Sequence, residues 1–325
     1  MCTRILYETG TASHITGRGM DWNDPTATTR LHSFPRGLQR TGAPVDNAIT
    51  WTSKYGSVVA SFYDAATADG MNEQGLVANV LYLAEADFGD ATASGKPVLS
   101  IGAWAQYFLD LFATVAEAVE AMQDPPFVIV APTLPNGRAA AVHMSLSDPS
   151  GDSAILEYLD GELVIHHGAE FVTMTNSPTY DQQLAINAYW ELVGGDRMLP
   201  GTINAADRYV RVDYLMKASP KYEDPRMAVA SVFSVMRAIG VPLGMEDPDH
   251  PNISATLWRT IADHSARRYY FESTIQPAVI WVDIDELDLS EGAASTAVLI
   301  NGPEELAGDV VPQMQPAEPY EWLWQ

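Results

Sequence analysis

Cysteine is almost absent from this chain: Cys2 is the only one in 325 residues. A lone thiol excludes an intrachain disulfide and any cage of cysteine ligands around a metal. Basic residues are scarce as well, 18 Lys and Arg against 42 Asp and Glu, for a formal net charge of −24. Such a charge repels nucleic acid and anionic bilayers, so neither is an expected partner, and an anionic substrate must be met by locally placed arginines. Long apolar runs are missing too. None nears the ~20 residues of a membrane helix, and no N-terminal charged-then-apolar stretch reads as a secretion signal.

Metal and nucleotide signatures are also lacking. The seven histidines form no His-Glu-x-x-His set, and His166-His167, adjacent on a predicted strand, point to opposite faces. Asp283, Asp285 and Glu286 lack the central glycine of a calcium loop. The glycines around Arg18 lack the strand-helix context and the Lys-Ser/Thr sequel of a phosphate loop. No metal and no cofactor is expected.

What is present, 47% hydrophobic residues, is ample for a large core, and its period changes along the chain. Residues 4–8 and 15–21 read as strands around a turn at Gly10. Residues 48–63 alternate through Tyr55-Gly56 as a hairpin leading to Asp69-Gly70, and 76–83 is a buried strand. Ser100 precedes a helical stripe of Ile101, Trp104, Phe108 and Leu111. A capping box of Thr114 and Glu117 opens a second helix, stopped by Pro125-Pro126. Residues 127–176 return to an antiparallel meander punctuated by Asn136-Gly137 and Asp160-Gly161. Thr179 with Gln182 caps a helix ending at Gly194-Gly195, Asp207 caps another, and Asp224-Pro225 opens a third that ends at Gly240. Strands resume at 255–262, 267–273 and 278–284. The order predicts an α+β fold of two sheets with helices on their outer faces, undivided by any linker and so one domain over 1–325.

Removal of the initiator Met would make Cys2 the first residue, with thiol and free α-amine on one side chain and backbone. A thiolate is favoured by a nearby cation. An α-amine titrates near pH ~7.7 to 8.0 and can accept a proton at physiological pH. Arg18 is the candidate cation, and Asp21 the candidate acceptor that orients the amine. On spacing alone, ordinary surface charges near a strand end are an equally plain reading of Arg18 and Asp21.

Cys2, Gly17-Arg18-Gly19-Met20-Asp21-Trp22, Asp69-Gly70-Met71-Asn72-Glu73-Gln74-Gly75-Leu76, Thr175-Asn176-Ser177-Pro178, Leu199-Pro200-Gly201, Asp207-Arg208-Tyr209 and Thr256-Leu257-Trp258-Arg259-Thr260-Ile261-Ala262-Asp263 occur in one order. That ordered set, over essentially the whole chain, resembles the choloylglycine hydrolase family of N-terminal nucleophile hydrolases, the penicillin V acylases and bile salt hydrolases. The resemblance implies a four-layer αββα sandwich and hydrolysis of linear amide bonds. It implies that Cys2, Arg18, Asp21, Tyr82, Asn176 and Arg208 carry the chemistry, with the Asn176 side chain and the Tyr82 backbone amide as oxyanion donors. Taken alone, Asn176 reads as a turn residue, Tyr82 as a core or rim aromatic and Arg208 as a solvated charge ahead of a helix. Trp22, Tyr82 and Phe88 are the candidate walls of an acyl pocket.

Tyr82, where bile salt hydrolases carry Asn, points to the penicillin V acylase side, and a short stretch between Asn176 and Arg208 resembles the Gram-negative branch, some members of which also cleave N-acyl-homoserine lactones. The resemblance further implies a homo-oligomer, a homotetramer, acting on a small-molecule amide. A leader cut before Cys2 would place the chain in the periplasm, a native Met1-Cys2 start in the cytoplasm. Bile salt hydrolysis is the alternative within the family. A Cys-His hydrolase and a non-catalytic binding protein on the same fold stand outside it.

Overall fold

The computed structural model describes residues 2–134, 137, 140–194, 198–245 and 254–324. Its strands run β1 (Cys2–Glu8), β2 (His14–Asp21), β3 (Arg30–Phe34), β4 (Gln39–Thr41), β5 (Thr50–Thr52), β6 (Ser57–Phe62), β7 (Ala66–Asn72), β8 (Val77–Tyr82), β9 (Val98–Ser100) and β10 (Val128–Val130). They continue as β11 (Val142–Ser147), β12 (Ser153–Leu159), β13 (Glu162–His167), β14 (Thr173–Met174), β15 (Thr256–Asp263), β16 (Arg268–Ser273), β17 (Ile280–Asp283), β18 (Thr296–Leu299), β19 (Gly308–Asp309) and β20 (Gln315–Pro316). The helices are α1 (Trp104–Leu111), α2 (Val115–Ala121), α3 (Tyr180–Val193), α4 (Ala205–Ala218) and α5 (Pro225–Ala238).

Two large sheets face each other. One has seven strands in the order β14-β1-β2-β15-β16-β17-β19, the other nine in the order β13-β12-β11-β8-β7-β6-β3-β18-β20. Pairing within them is antiparallel, save for the short edge strand β19 beside β17. Helices α4 and α5 lie on the outer face of the seven-stranded sheet, and α1 and α2 on that of the nine-stranded one. This is the αββα sandwich that the resemblance implied.

Alternation along β1 divides its side chains between two cores. Ile5 and Tyr7 join Val212, Val232 and Met236 under the helices, while Cys2 enters the core between the sheets with Met20, Val58 and Leu81. The Gly-Arg-Gly run of β2 has the same logic. A Cβ at Gly17 would sit 2.8 Å from Val232 Cγ1, and one at Gly19 3.4 Å from Met236 Cε. Gly17 admits α5 on one face, and Arg18 and Met20 point to the other.

Several local signals hold. Asp224 accepts from the Arg226 amide to start α5. Thr114 accepts from the Glu117 amide, while the Glu117 carboxylate reaches the Ala113 amide. Asp160 and Gly161, at φ 51° and 81°, turn β12 into β13.

Others are corrected. Tyr55-Gly56 makes no hairpin, because β5 pairs with β4 while β6 joins the nine-stranded sheet. The meander is confined to β11-β12-β13; β10 pairs in parallel with β9, and β14 pairs antiparallel with β1 in the other large sheet. Asn136 and Gly195 lie outside the described residues. Thr179 makes no side-chain cap, and the Tyr180 amide at the start of α3 donates to Glu157 Oε2 of β12 at 3.0 Å. Asp207 lies inside the first turn of α4, accepting from Thr202, and Arg208 belongs to that helix rather than preceding it. Helix α5 ends two residues before Gly240, at Ala238.

Candidate active site

In the antiparallel β1-β2 pair Cys2 lies opposite Met20 and Arg4 opposite Arg18, so these four side chains share the face turned toward the second sheet. Cys2 Sγ lies 3.7 Å from Met20 Sδ and 3.8 Å from Arg18 Nη2. The Arg18 guanidinium is fully buried. Nη2 donates to Val80 O at 2.9 Å, Nε stands 3.9 Å from Asp69 Oδ2, and its plane rests 4.3 Å from the Trp258 ring centroid. Its Nη1 has no hydrogen-bond partner, so a donor remains for a thiolate or an acyl oxygen.

Behind Arg18, Asp69 accepts from Asn79 Nδ2 at 2.7 Å and from the Tyr269 hydroxyl. Burial pushes its carboxyl above the usual range, and Arg18 and these hydrogen bonds pull it back. Asp69 belongs to the run 69–76. The rest of that run is structural: Asn72 Oδ1 accepts from the Gln74 and Leu76 amides, and Gly75, at φ +84°, completes the turn into β8.

The Cys2 nitrogen donates to Asn176 Oδ1. The same oxygen accepts from Arg208 Nη2 at 2.9 Å, and Asn176 Nδ2 donates to Tyr82 O at 2.6 Å. These partners fix which way the Asn176 amide faces and commit one of its two amide protons. Strand β14 ends just before Asn176, and His143 Nε2 meets Thr175 O at 2.9 Å while His143 Nδ1 meets Glu157 Oε1 at 2.9 Å. Gln183 Nε2 donates to Asn176 O at 2.9 Å, so both neighbouring carbonyls are held.

Arg208 ties the assembly together from the first turn of α4. Nη1 donates to Cys2 O at 2.8 Å and to Thr3 Oγ1, Nε to Ile203 O at 2.9 Å, and Nη1 lies 3.6 Å from Asp21 Oδ2. Burial lowers the affinity of this guanidinium for its proton, opposed by Asp21 and Cys2. Asp21 Oδ1 in turn accepts from Thr256 Oγ1 at 2.5 Å, where the β2-β15 register shifts.

Tyr82 stands opposite Val142 on β11, and the Leu83 amide donates to Ala141 O at 3.1 Å. Leu83 and Ala141 are thus the hydrogen-bonded pair, and both backbone groups of Tyr82 turn away from β11. On that side the β7 ladder ends at Asp69 opposite Asn79. The backbone of β8 beyond Asn79 therefore faces the site: Val80 O takes Arg18, Tyr82 O takes Asn176, and the Tyr82 N–H points the same way.

Cys2, Arg18 and Met20 open on a cavity of about 80 Å³, walled by Trp22, Phe62, Val80, Leu81, Tyr82, Ile101, Leu134, Val142 and Leu323 among others. Trp22 meets Phe62 edge-on at 5.5 Å and donates from Nε1 to the Tyr63 hydroxyl at 3.0 Å. Two of the three candidate wall aromatics, Trp22 and Tyr82, line this cavity. Phe88 does not; it packs against Tyr158 at 5.4 Å and Trp104 at 6.4 Å on the far side of the nine-stranded sheet. Phe62, Leu134, Leu323, Asp69 and Trp258 went unidentified as site residues from the sequence. Asp69 and Trp258 stood in quoted motifs, and nothing local marks the others.

A family model described as linear amide C-N hydrolases, choloylglycine hydrolase family, matches residues 2–304. A penicillin V acylase from Pectobacterium atrosepticum is 45% identical over 345 residues, covering 99% of this chain and 92% of that protein. The solved penicillin V acylase from Agrobacterium tumefaciens superposes with a TM-score of 0.91 at 49% identity, covering 99% of both chains. A conjugated bile acid hydrolase from Clostridium perfringens, at 21% identity, shares the fold with a TM-score of 0.77 over 92% of this chain and 97% of that one.

Proposed function

Because the chain belongs to the choloylglycine hydrolase family and is a linear amide hydrolase, we propose that it is a penicillin V acylase-like enzyme with Cys2 as an N-terminal nucleophile. The observation that carries this reading is at Cys2 itself: its nitrogen donates to Asn176 Oδ1 while its sulfur lines an apolar cavity beside Arg18. The reading requires that Met1 be removed, so that the nitrogen is an amine. Among the described residues no histidine lines the cavity, which favours the amine over a Cys-His pair as the base.

The amine takes the thiol proton as Sγ attacks the acyl carbon. The oxyanion accepts from the second proton of Asn176 Nδ2 and from the Tyr82 N–H, donors fixed before the substrate arrives. Arg18 favours the thiolate, and Arg208 with Asp21 holds the Cys2 backbone still. The ammonium returns its proton to the leaving nitrogen as the C–N bond breaks. The amine then takes a proton from water, whose oxygen attacks the thioester and restores the thiol.

A cavity of about 80 Å³ lies well below the ~300–1,000 Å³ of drug-sized sites. It suits a single aromatic ring or a short acyl chain better than a steroid, which favours the acylase over bile salt hydrolysis. A homo-oligomer is also proposed, supported by the exposed Tyr189 and Leu192 on α3 with Met198 nearby.

Intact mass combined with turnover of penicillin V, a glycine-conjugated bile salt and a long-chain N-acyl-homoserine lactone tests the proposal. We expect loss of the Met1 mass and cleavage of penicillin V that vanishes in Cys2→Ala. With Met1 gone, three untouched substrates would instead favour a binding protein on this fold.

A further inference from the structure

Leu323 lies more than 300 positions from Cys2 in sequence, yet both line the same cavity. It arrives there on a segment beyond residue 304, where the family match stops. After β20 pairs with β18, the chain crosses the molecule with its backbone and side chains tied down at successive points. The Ala317 amide donates to Ser295 O at 3.0 Å. Tyr320 is half-buried, its hydroxyl 2.5 Å from Thr67 Oγ1 and its ring 5.8 Å from that of Phe34. Trp322 Nε1 donates to Thr41 O at 2.8 Å. Leu323 itself is held on both sides, its amide donating to Ala65 O at 2.7 Å and its carbonyl accepting from Ser100 Oγ at 2.6 Å.

Each of the last anchors adjoins the cavity. Thr67 lines it directly, Ala65 precedes the lining residue Ala66, and Ser100 precedes Ile101 and Gly102. Gly102 allows the close approach: a Cβ there would sit 2.6 Å from Ala65 O and 3.3 Å from Leu323 N. These anchors are separate from the groups that hold Cys2, which are Asn176, Arg208, Met20 and Arg18. The segment thus supplies a wall without contributing to the chemistry, and a wall made of one branched apolar side chain limits what fits by its volume.

Resting on the acylase reading, we propose that residues 317–324 form a strap across the acyl cavity and that Leu323 sets the length of acyl group the enzyme accepts. Replacing Leu323 by Ala removes three carbons from the wall and lengthens the cavity. Replacing it by Trp fills the same space. The backbone bonds to Ala65 and Ser100 are available to any residue, so both variants keep the strap in place.

The test compares wild type, Leu323→Ala and Leu323→Trp on phenoxyacetyl, hexanoyl and decanoyl amides of one leaving amine, by kcat/KM. Binding of phenoxyacetate and decanoate to the same three proteins is followed by calorimetry. We expect Leu323→Ala to raise the decanoyl-to-phenoxyacetyl ratio about tenfold, within the range of ~10 to 200 for a methylene-scale change in a pocket, and Leu323→Trp to lower it. The dissociation constants of the two carboxylates should shift in the same sense. Ratios unchanged within twofold in both variants and both measurements overturn the strap. If wild type cleaves no amide while the carboxylate affinities still shift with residue 323, the acylase reading fails and the strap stands.

Discussion

Arg208 Nη1 donates to the carbonyl oxygen of Cys2 at 2.8 Å, joining the first turn of α4 to the first strand across 206 positions of sequence. The same side chain holds Asn176 Oδ1 and faces Asp21, so one buried fork orients the nucleophile, its amine acceptor and a carboxylate. Lysine has the charge without the fork. Arg208→Lys should lower kcat about 100-fold with little change in KM. Arg208→Ala, which takes the buried cation away from Asp21 while the Thr256 hydroxyl stays, should also destabilise by about 3 to 5 kcal/mol. Steady-state kinetics and chemical denaturation of both variants check this; equal stability losses would mean the charge contributes nothing.

Asn176 has two tasks on one amide. Oδ1 receives the Cys2 nitrogen, while Nδ2 spends one proton on Tyr82 O and keeps one for the oxyanion. Asn176→Ala should therefore lower kcat by ~10² to 10³, the usual loss for one oxyanion donor, with KM nearly unchanged. Intact mass must show Met1 removed in the variant. A KM effect that exceeds the kcat effect would make Asn176 a substrate-binding group instead.

Legibility followed the sequence distance over which each feature is decided. Asp224-Pro225 starts α5 and Asp160-Gly161 turns a hairpin because both act within a few residues. Arg18 beside Cys2 follows from a hairpin that closes on itself. Failures lie where a distant partner wins. The capping box at Thr179 is unused, and the first turn of α3 is tied at its Tyr180 amide to Glu157 from another strand. Phe88 is an aromatic near Tyr82 in sequence, but it crosses to the other side of the sheet. Leu323 reaches the cavity because distant partners, Thr67 at Tyr320, Thr41 at Trp322 and Ser100 at its own carbonyl, hold the segment there.

Asp69 faces Arg18 from the opposite sheet at 3.9 Å, and its carboxylate offsets part of the guanidinium charge near Cys2 Sγ. Asp69→Asn keeps the volume and removes that offset. A less compensated Arg18 favours the thiolate more strongly, so the acid limb of the kcat/KM profile should move to lower pH. Tyr269→Phe removes only a hydroxyl that donates to Asp69 and should move the limb less. An acid limb that stays put in Asp69→Asn would reduce Asp69 to a packing role.

His264 and His32 make stability depend on pH in a stated direction. His264 is buried with Nε2 2.8 Å from Thr16 Oγ1 and Nδ1 2.6 Å from Gly75 O, and burial pushes it down to about 4. His32 is stacked 5.4 Å from Phe34 with neither ring nitrogen hydrogen-bonded, and burial, aided by Arg30 and Arg40, also brings it to about 4. Unfolded histidine titrates near ~6.5. Between about pH 4 and 6.5 the unfolded chain therefore binds more protons, and stability rises with pH there. The contribution is complete above about pH 6.5 and lost toward pH 4, on the order of 3 kcal/mol for each histidine. Buried Asp69 and Asp110, whose carboxyls are raised, oppose this with a slope of the other sign. His32→Phe keeps the stack and removes one titrating group. The difference in unfolding free energy between pH 7.5 and 4.5, read from urea titrations, should shrink by about 1 to 3 kcal/mol relative to wild type. An unchanged difference would mean that His32 is not held neutral by the fold.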